Sequence, residues 1–354
     1  IGGMGVLVFI VAVMPLSDSS SMHLMRAESP GPSVGKLVPK VKTTAMILYG
    51  IYVVFTVIEI IALLIAGMPL FDSMTLTFGT VGTGGFGLLN SSIASYSTAV
   101  QIIITVFMII CSINFTVYYM FLIKRPKEAL MCEEMRYYLL IVFGSALLIA
   151  FNIRASFASF GKAFQQAIFQ VASVISTTGF ATADFNLWPE FSRMILVLLM
   201  FVGACAGSTG GGFKVSRLII MVKSVRNEIM SVTHPRSVQK VHMDGRRIPD
   251  NVVKTVLCYL AGYVVILIVS VLLISLDNFD MTTNFTAVMA TFNNVGPGLN
   301  RVGPTGNFGG FSVLSKLVLM FDMLVGRLEL YPMLVIFAPG LWRIHPHRHV
   351  GKVQ

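Results

Sequence analysis

Long apolar stretches, each near the length of a bilayer crossing, alternate with short polar connections along almost the whole chain. Apolar runs extend from Thr44 to Ala66, Val100 to Ile123, Tyr137 to Ile153, Met194 to Ala206, Val252 to Leu276 and Leu314 to Ala338, and a seventh, Ile1 to Pro15, opens the sequence. A helix rising ~1.5 Å per residue needs ~20 apolar residues to cross a ~30 Å hydrocarbon core, so spanning helices are predicted at these positions. Shorter, half-apolar segments lie between them at Phe71 to Thr80, Phe160 to Ile175 and Thr283 to Phe292. With roughly 10–16 residues these reach about 15–24 Å, and they are predicted to dip into the bilayer and return.

The order of spanning helix, half-helix, glycine-containing turn and second spanning helix occurs three times, with a period of about a hundred residues. The turns are Val81-Gly82-Thr83-Gly84-Gly85-Phe86-Gly87, Ser176-Thr177-Thr178-Gly179-Phe180-Ala181-Thr182 and Asn293-Asn294-Val295-Gly296-Pro297-Gly298-Leu299. Re-entrant backbone is tolerated in a membrane only where protein or a water-filled cavity satisfies its polar groups. The three turns are therefore expected to converge on an aqueous axis. A filter that replaces an ion's hydration shell uses backbone carbonyls, and glycine lets successive carbonyls face one way. The candidate ion-binding residues are Gly82, Thr83, Gly84 and Gly85 in the first turn, Ser176, Thr177, Thr178 and Gly179 in the second, and Asn293, Asn294, Val295 and Gly296 in the third. Half-helices ending near the axis would present their negative dipole ends to it, which favours a cation. Because the turns differ in side chain, selectivity is expected to be looser than four identical loops would give.

Composition supports the bilayer. Of 354 residues 55% are hydrophobic and 12% charged, against about 45–50% and 25% in soluble domains. The formal charge of +10 sits in connections between apolar runs and forms no basic amphipathic face, which argues against a nucleic-acid partner. Arg26, Lys36, Lys40 and Lys42 form one basic connection, Lys124, Arg125, Lys127 and Arg136 a second, Lys223, Arg226, Arg236, Lys240, Arg246 and Arg247 a third, and Arg343, Arg348 and Lys352 a tail. The positive-inside rule makes these four cytoplasmic and puts Arg154, Lys162, Arg193 and Arg301 outside.

Chemistry other than transport finds little footing. Cys111, Cys132, Cys205 and Cys258 lack the spacing of a disulfide framework or zinc site. No nucleophile stands with a base at useful spacing, and Ser208 has no nucleophile-elbow context, so no enzyme is expected. His345, His347 and His349 alternate in the basic tail beside Pro346 and read as solvated rather than as a metal site. The opening Ile1-Gly2-Gly3-Met4-Gly5 has no basic n-region and reads as a helix already under way, not a signal peptide.

One apolar run ends unusually. Met194 to Ala206 leads into Gly207-Ser208-Thr209-Gly210-Gly211-Gly212, and each glycine costs a helix about 1 kcal/mol relative to alanine. A break is expected there, near the middle of the bilayer beneath the filter, where flexible backbone could occlude the path. The competing reading is close helix packing through Gly207 and Gly211 at GxxxG spacing. Likeness to a phosphate loop fails because Phe213 separates Gly212 from Lys214 and no strand precedes. Arg327 lies inside the last apolar run, where a charge costs at least ~2.5 kcal/mol. Asp322 and Glu329 do not share its helical face, so carbonyls freed at 207–212 are the expected partners, with snorkelling toward the cytoplasm as the alternative. Glu59, in another apolar run, fits either a pore-side position or an interhelix contact.

The stretches Ile1-Gly2-Gly3-Met4-Gly5, Arg26-Ala27-Glu28-Ser29-Pro30-Gly31-Pro32, the three turns, Gly207 to Lys214, His234-Pro235-Arg236 and Gly326-Arg327-Leu328-Glu329 together resemble the TrkH/KtrB superfamily of potassium transporters, and within it the TrkH branch. The resemblance implies an all-α membrane protein in which four helix, pore-loop, helix repeats surround a central pore, with three filters present here. It implies a closing helix of a truncated first repeat at 1–16, a second repeat at 43–123, a third with an interrupted second helix at 136–222, a fourth at 251–340 and a cytoplasmic tail at 341–354. It assigns Gly207, Ser208, Thr209, Gly210, Gly211 and Gly212 to a gate. The implied activity is potassium uptake across the bacterial cytoplasmic (inner) membrane through a gated, channel-like filter, with potassium as substrate and no cofactor in this chain. A homodimer and a cytoplasmic nucleotide-binding regulatory subunit of the TrkA type are the implied partners besides the lipid bilayer. The alternative is a symporter coupling potassium entry to protons or sodium. Such carriers usually show inverted repeats and intramembrane carboxylates, whereas these repeats run in one orientation and the runs hold few acids.

Overall fold

The structure is a computed structural model that describes residues 41–234, 239–328, 330 and 333. The expected closing helix at 1–16, the basic residues Arg26, Lys36, Lys40 and Arg236, Glu329, the far end of the last apolar run and the tail at 341–354 lie outside the described residues.

The chain folds as helices. The first unit comprises α1 (Val41–Ile65), α2 (Leu70–Val81), α3 (Thr98–Cys111) and α4 (Phe115–Leu122), followed by the short α5 (Pro126–Met131). The second comprises α6 (Glu133–Ile153), α7 (Phe160–Ile175), α8 (Glu190–Val202) and α9 (Val215–Thr233). A hairpin of two-residue strands, β1 (His242–Met243) and β2 (Arg246–Arg247), turns through Asp244 and Gly245. The last unit comprises α10 (Asp250–Ile274), α11 (Met281–Phe292) and α12 (Val313–Leu328).

By length and composition, the helices at Ala45–Ile65, Glu133–Ser156 and Asp250–Asp277 are long and apolar enough to cross a membrane. The exposed side of α10 carries Leu257, Val264, Val265, Ile268 and Leu272. That is the reverse of a water-soluble helix and the surface hydrocarbon chains require. Polar and small residues turn inward instead. Ala146 and Ala150 of α6 and Ala163 and Ala167 of α7 are fully buried at four-residue spacing, and small residues at that interval let two helix backbones approach closely.

The three short helices α2, α7 and α11 begin where a cap or a proline stops the chain. Ser159 accepts from the Lys162 amide at 3.3 Å and Asp280 from the Thr283 amide at 2.9 Å, while Pro69 precedes α2. These caps satisfy N–H groups that a helix start leaves open. Asp280 also accepts from Thr283 Oγ1 at 2.6 Å and Asn300 Nδ2 at 2.7 Å. Burial opposes ionisation of its carboxyl, but these bonds outweigh it and hold the group below the usual carboxylate range.

One predicted span is not a single helix. The run from Val100 to Ile123 is divided into α3 and α4, bent by 88° at Ser112, Ile113 and Asn114. Asn114 accepts from the Thr116 amide at 2.9 Å and so caps α4, and Ser112 Oγ donates back to Met108 O at 2.8 Å. The backbone groups released by the bend pair with the second unit: Phe115 N donates to Gly207 O at 3.0 Å, and Ser112 O accepts from Cys205 N at 3.0 Å.

The second break is irregular backbone between α8 and α9; it opens at Gly203, ahead of the Gly207 at which the sequence placed it, because Gly203 takes a positive φ of 67° and ends α8 after Val202. Aromatic rings flank it. Phe201 near the end of α8 stacks on Phe213 with centroids 4.9 Å apart, and Phe213 is fully buried against Tyr259 and Tyr263 of α10.

Candidate ion path and intramembrane loop

Each short helix ends in a turn with the same backbone plan. Gly82, Ser176 and Asn293 are the C-caps of α2, α7 and α11. The next residue is left-handed in every case, with φ of 49° at Thr83, 58° at Thr177 and 55° at Asn294, and two residues later a glycine has positive φ, 67° at Gly85, 84° at Gly179 and 107° at Gly296. The amides of Gly84, Thr178 and Val295 fold back to carbonyls within their own helices, those of Gly79, Ser173 and Ala290. Three segments of different sequence therefore adopt the same local backbone conformation.

The turns also touch one another in order. A Cβ placed on Gly85 would lie 1.6 Å from Thr178 O, and one on Gly179 would lie 2.1 Å from Val295 O. Gly179 combines this contact with positive φ, so no larger residue fits there without moving the neighbouring turn. Several side chains of the turns bond to scaffold: Ser176 Oγ donates to Ser173 O at 3.1 Å, Asn293 Nδ2 donates to Tyr263 Oη at 2.8 Å, and Asn294 Nδ2 donates to Met323 O at 3.2 Å.

Against the turns lies the loop between α8 and α9. Thr83 Oγ1 donates to Thr209 O at 2.8 Å, and Gly211 N donates to Thr177 Oγ1 at 2.7 Å. A Cβ on Gly210 would meet Ser176 O at 2.9 Å, and one on Gly211 would meet Asn293 O at 2.9 Å. All three turns thus contact one short stretch. The segment from 207 to 212 is not helical, so the GxxxG helix-packing reading does not hold. Its own polar groups are engaged: Gly207 O accepts from Phe115 N, Ser208 Oγ donates to Cys205 O at 2.6 Å, Thr209 Oγ1 donates to Cys111 O at 3.1 Å, and Ala204 N donates to Gly211 O at 3.3 Å. Gly212 has φ of 81°.

Two cations reach the loop. Arg327 Nη1 donates to Thr209 O at 3.4 Å and Lys214 Nζ donates to Gly210 O. The guanidinium therefore turns toward the broken helix. The sequence named Lys214 only as the end of the stretch from Gly207 and gave it no contact with the loop, and it did not single out the buried Glu134, which accepts from the Ala206 amide. Glu59 is fully buried on α1, and neither oxygen has a partner among the described residues.

Repeated units of helix, short helix, glycine turn and helix, with apolar outer faces and an internal broken helix, define an all-helical membrane protein. The family described as Cation transport protein, TrkH, matches residues 1–344. The Trk system potassium uptake protein TrkH of Salmonella typhimurium is 36% identical over 350 residues, covering 97% of this chain and 71% of the relative, and its Escherichia coli counterpart is 35% identical over the same shares. The crystal structure of the potassium transporter TrkH from Vibrio parahaemolyticus aligns with a TM-score of 0.82 at 32% identity, over 96% of this chain and 70% of that one. The chain belongs to the TrkH family.

Proposed function

We propose that this chain takes up potassium across the bacterial inner membrane, coordinating the dehydrated ion at Gly82–Gly85, Ser176–Gly179 and Asn293–Gly296 and gating it with the loop at Gly207–Gly212 and Arg327. The observation that carries the reading is the contact of one irregular segment with all three turns, through Thr83 to Thr209 and Thr177 to Gly211 above all. Backbone that is broken inside a membrane and held by a few hydrogen bonds has the makings of a two-position element. The guanidinium at Thr209 O adds a positive charge on the path that a cation must pass. Relatives named as potassium uptake proteins support the choice of ion. A second copy of the chain and a cytoplasmic nucleotide-binding subunit of the TrkA type complete the proposed assembly, facing the basic connection that includes Arg246 and Arg247.

A second reading, symport with protons or sodium, draws on two fully buried acids: both oxygens of Glu59 and Oδ2 of Asp322 lack partners among the described residues, while Asp322 Oδ1 accepts from Ser270 Oγ at 2.7 Å. Rubidium uptake into potassium-depleted vesicles carrying the full-length protein separates the two. A potassium filter gives uptake that resists sodium competition and is lost with Gly179→Ser. A coupled carrier gives uptake that follows an imposed proton or sodium gradient at constant membrane potential. Correctly inserted protein without uptake, even with its regulatory subunit, would overturn both.

A further inference from the structure

Two neighbouring acids at the start of α6 face different surroundings. Glu133 pairs with Lys223 and is half-buried. Glu134 is 3% exposed, and its Oε1 accepts two amides, Ala206 N at 2.7 Å and Ser216 N at 3.1 Å. These amides stand at opposite ends of the broken segment. Ala206 immediately precedes Gly207, and Ser216 is the second residue of α9. The amides of a helix's first turn have no partner inside that helix and favour an anion, and here the anion comes from another helix far away in sequence. The same atom also holds the far end of the loop.

We infer that Glu134 is a positioning residue for the gate: a clip whose single oxygen ties both ends of the loop to one point and so holds Thr209, Gly210 and Gly211 against the three turns. This rests on the reading of the loop as a gate. The ends of the segment can separate, or swing together away from the turns, only if at least one of these charge-assisted bonds breaks. Such bonds are about twice as strong as neutral ones. Lys214 donates to Gly210 O within the loop, so the clip holds the ends of the segment while the cation holds its middle. Nearby bonds add to the enclosure without replacing it: Cys205 N to Ser112 O and Val215 N to Ala204 O tie adjacent backbone to the bend in the first unit and to the loop's own start.

Cys205 supplies an independent readout, because it lies in this segment next to Ala206 and is fully buried. In a background with Cys111, Cys132 and Cys258 changed to serine, two quantities are measured for wild type, Glu134→Gln, Glu134→Ala and Arg327→Ala in the full-length protein. One is the maximal rate and half-saturation of rubidium uptake; the other is the rate at which a charged thiol reagent modifies Cys205 from the cytoplasmic side. Loss of both shared bonds in Glu134→Ala is expected to raise the maximal rate and the labelling rate about threefold or more, with half-saturation unchanged because the turns keep their own contacts. Glu134→Gln, which retains an acceptor without charge, is expected between the two. Wild-type labelling and uptake in Glu134→Ala, with Arg327→Ala raising uptake, overturns the clip and leaves the gate standing. Uptake raised by neither variant overturns the gate itself. If the alanine variant fails to insert, the glutamine variant decides: Cys205 labelling above wild type supports the clip, and wild-type labelling overturns it.

Discussion

Thr83 Oγ1 lies 2.8 Å from the carbonyl oxygen of Thr209, joining the first glycine turn to the loop between α8 and α9 across 126 positions of sequence. The same hydroxyl is 2.8 Å from Gly82 O, so one side chain touches both the turn and the element below it. Thr83→Val keeps the shape and removes the donor. A hydrogen bond of about 1 kcal/mol corresponds to a roughly fivefold change in an equilibrium. Rubidium uptake in Thr83→Val is expected to rise by about that factor without the regulatory subunit. Uptake equal to wild type would mean that this bond does not hold the loop.

Arg327 reaches the same carbonyl at 3.4 Å. At that length the bond belongs at the weak end of the ~1.5–3 kcal/mol range for charged donors. Arg327→Ala is therefore expected to raise maximal uptake by roughly tenfold, with Arg327→Lys closer to wild type because it keeps the charge. Initial-rate flux in vesicles measures this, and an unchanged rate would remove the arginine from the gate.

Gly326, one residue earlier, is needed for space. A Cβ there would stand 1.7 Å from Phe292 O and 2.9 Å from Asn294 Nδ2. Gly326→Ala must push α12 away from the third turn, an overpacking that typically costs about 1–3 kcal/mol. Expected outcomes are a lower unfolding temperature in detergent and reduced uptake. Both should be absent for Gly144→Ala, because a Cβ on Gly144 would have nothing within 4 Å.

Asp280 gives the fold an acid limb. Its carboxyl, opposed by burial but bonded by Thr283 and Asn300, has a folded-state pKa below its ordinary value. A depressed carboxylate contributes stability that is fully present above the unfolded pKa of about 3.9 and is lost as pH falls through the lower folded value. Asp280→Ala removes a helix cap worth about 1 kcal/mol. The unfolding temperature of the variant should lie below wild type at pH 7, and the gap should narrow below about pH 4. A gap independent of pH would assign the effect to the neutral contacts.

The short helices were legible because their ends are written locally. Phe160 to Ile175 is bounded by Ser159 and by Ser176-Thr177-Thr178-Gly179, and the helix observed is Phe160–Ile175. A break in this run was legible too, since clustered glycines penalise any helix, but its start was not: α8 stops at Val202 with Gly203 in positive φ, ahead of the Gly207 cluster. The bend at Ser112–Asn114 was not. Three residues inside a long apolar run scarcely change its average hydropathy, and the bend is viable only because Gly207 O and Cys205 N, about ninety residues on, satisfy the backbone it frees. Glu134 escaped notice for the same reason: its position reads as an ordinary acidic helix start, and the two amides it holds are specified by another part of the chain.

The three glycine turns share a backbone plan while carrying Gly82, Ser176 and Asn293 at the same place. In a ring of identical chains any substitution is copied into every wall at once, so its effect is multiplied by the number of subunits. Here the walls are joined in one polypeptide, and a mutation enters one wall alone. Under the proposed reading of the turns as the ion path, ion preference and throughput can therefore be adjusted in small, separate steps, one side changing while the others stay as they are.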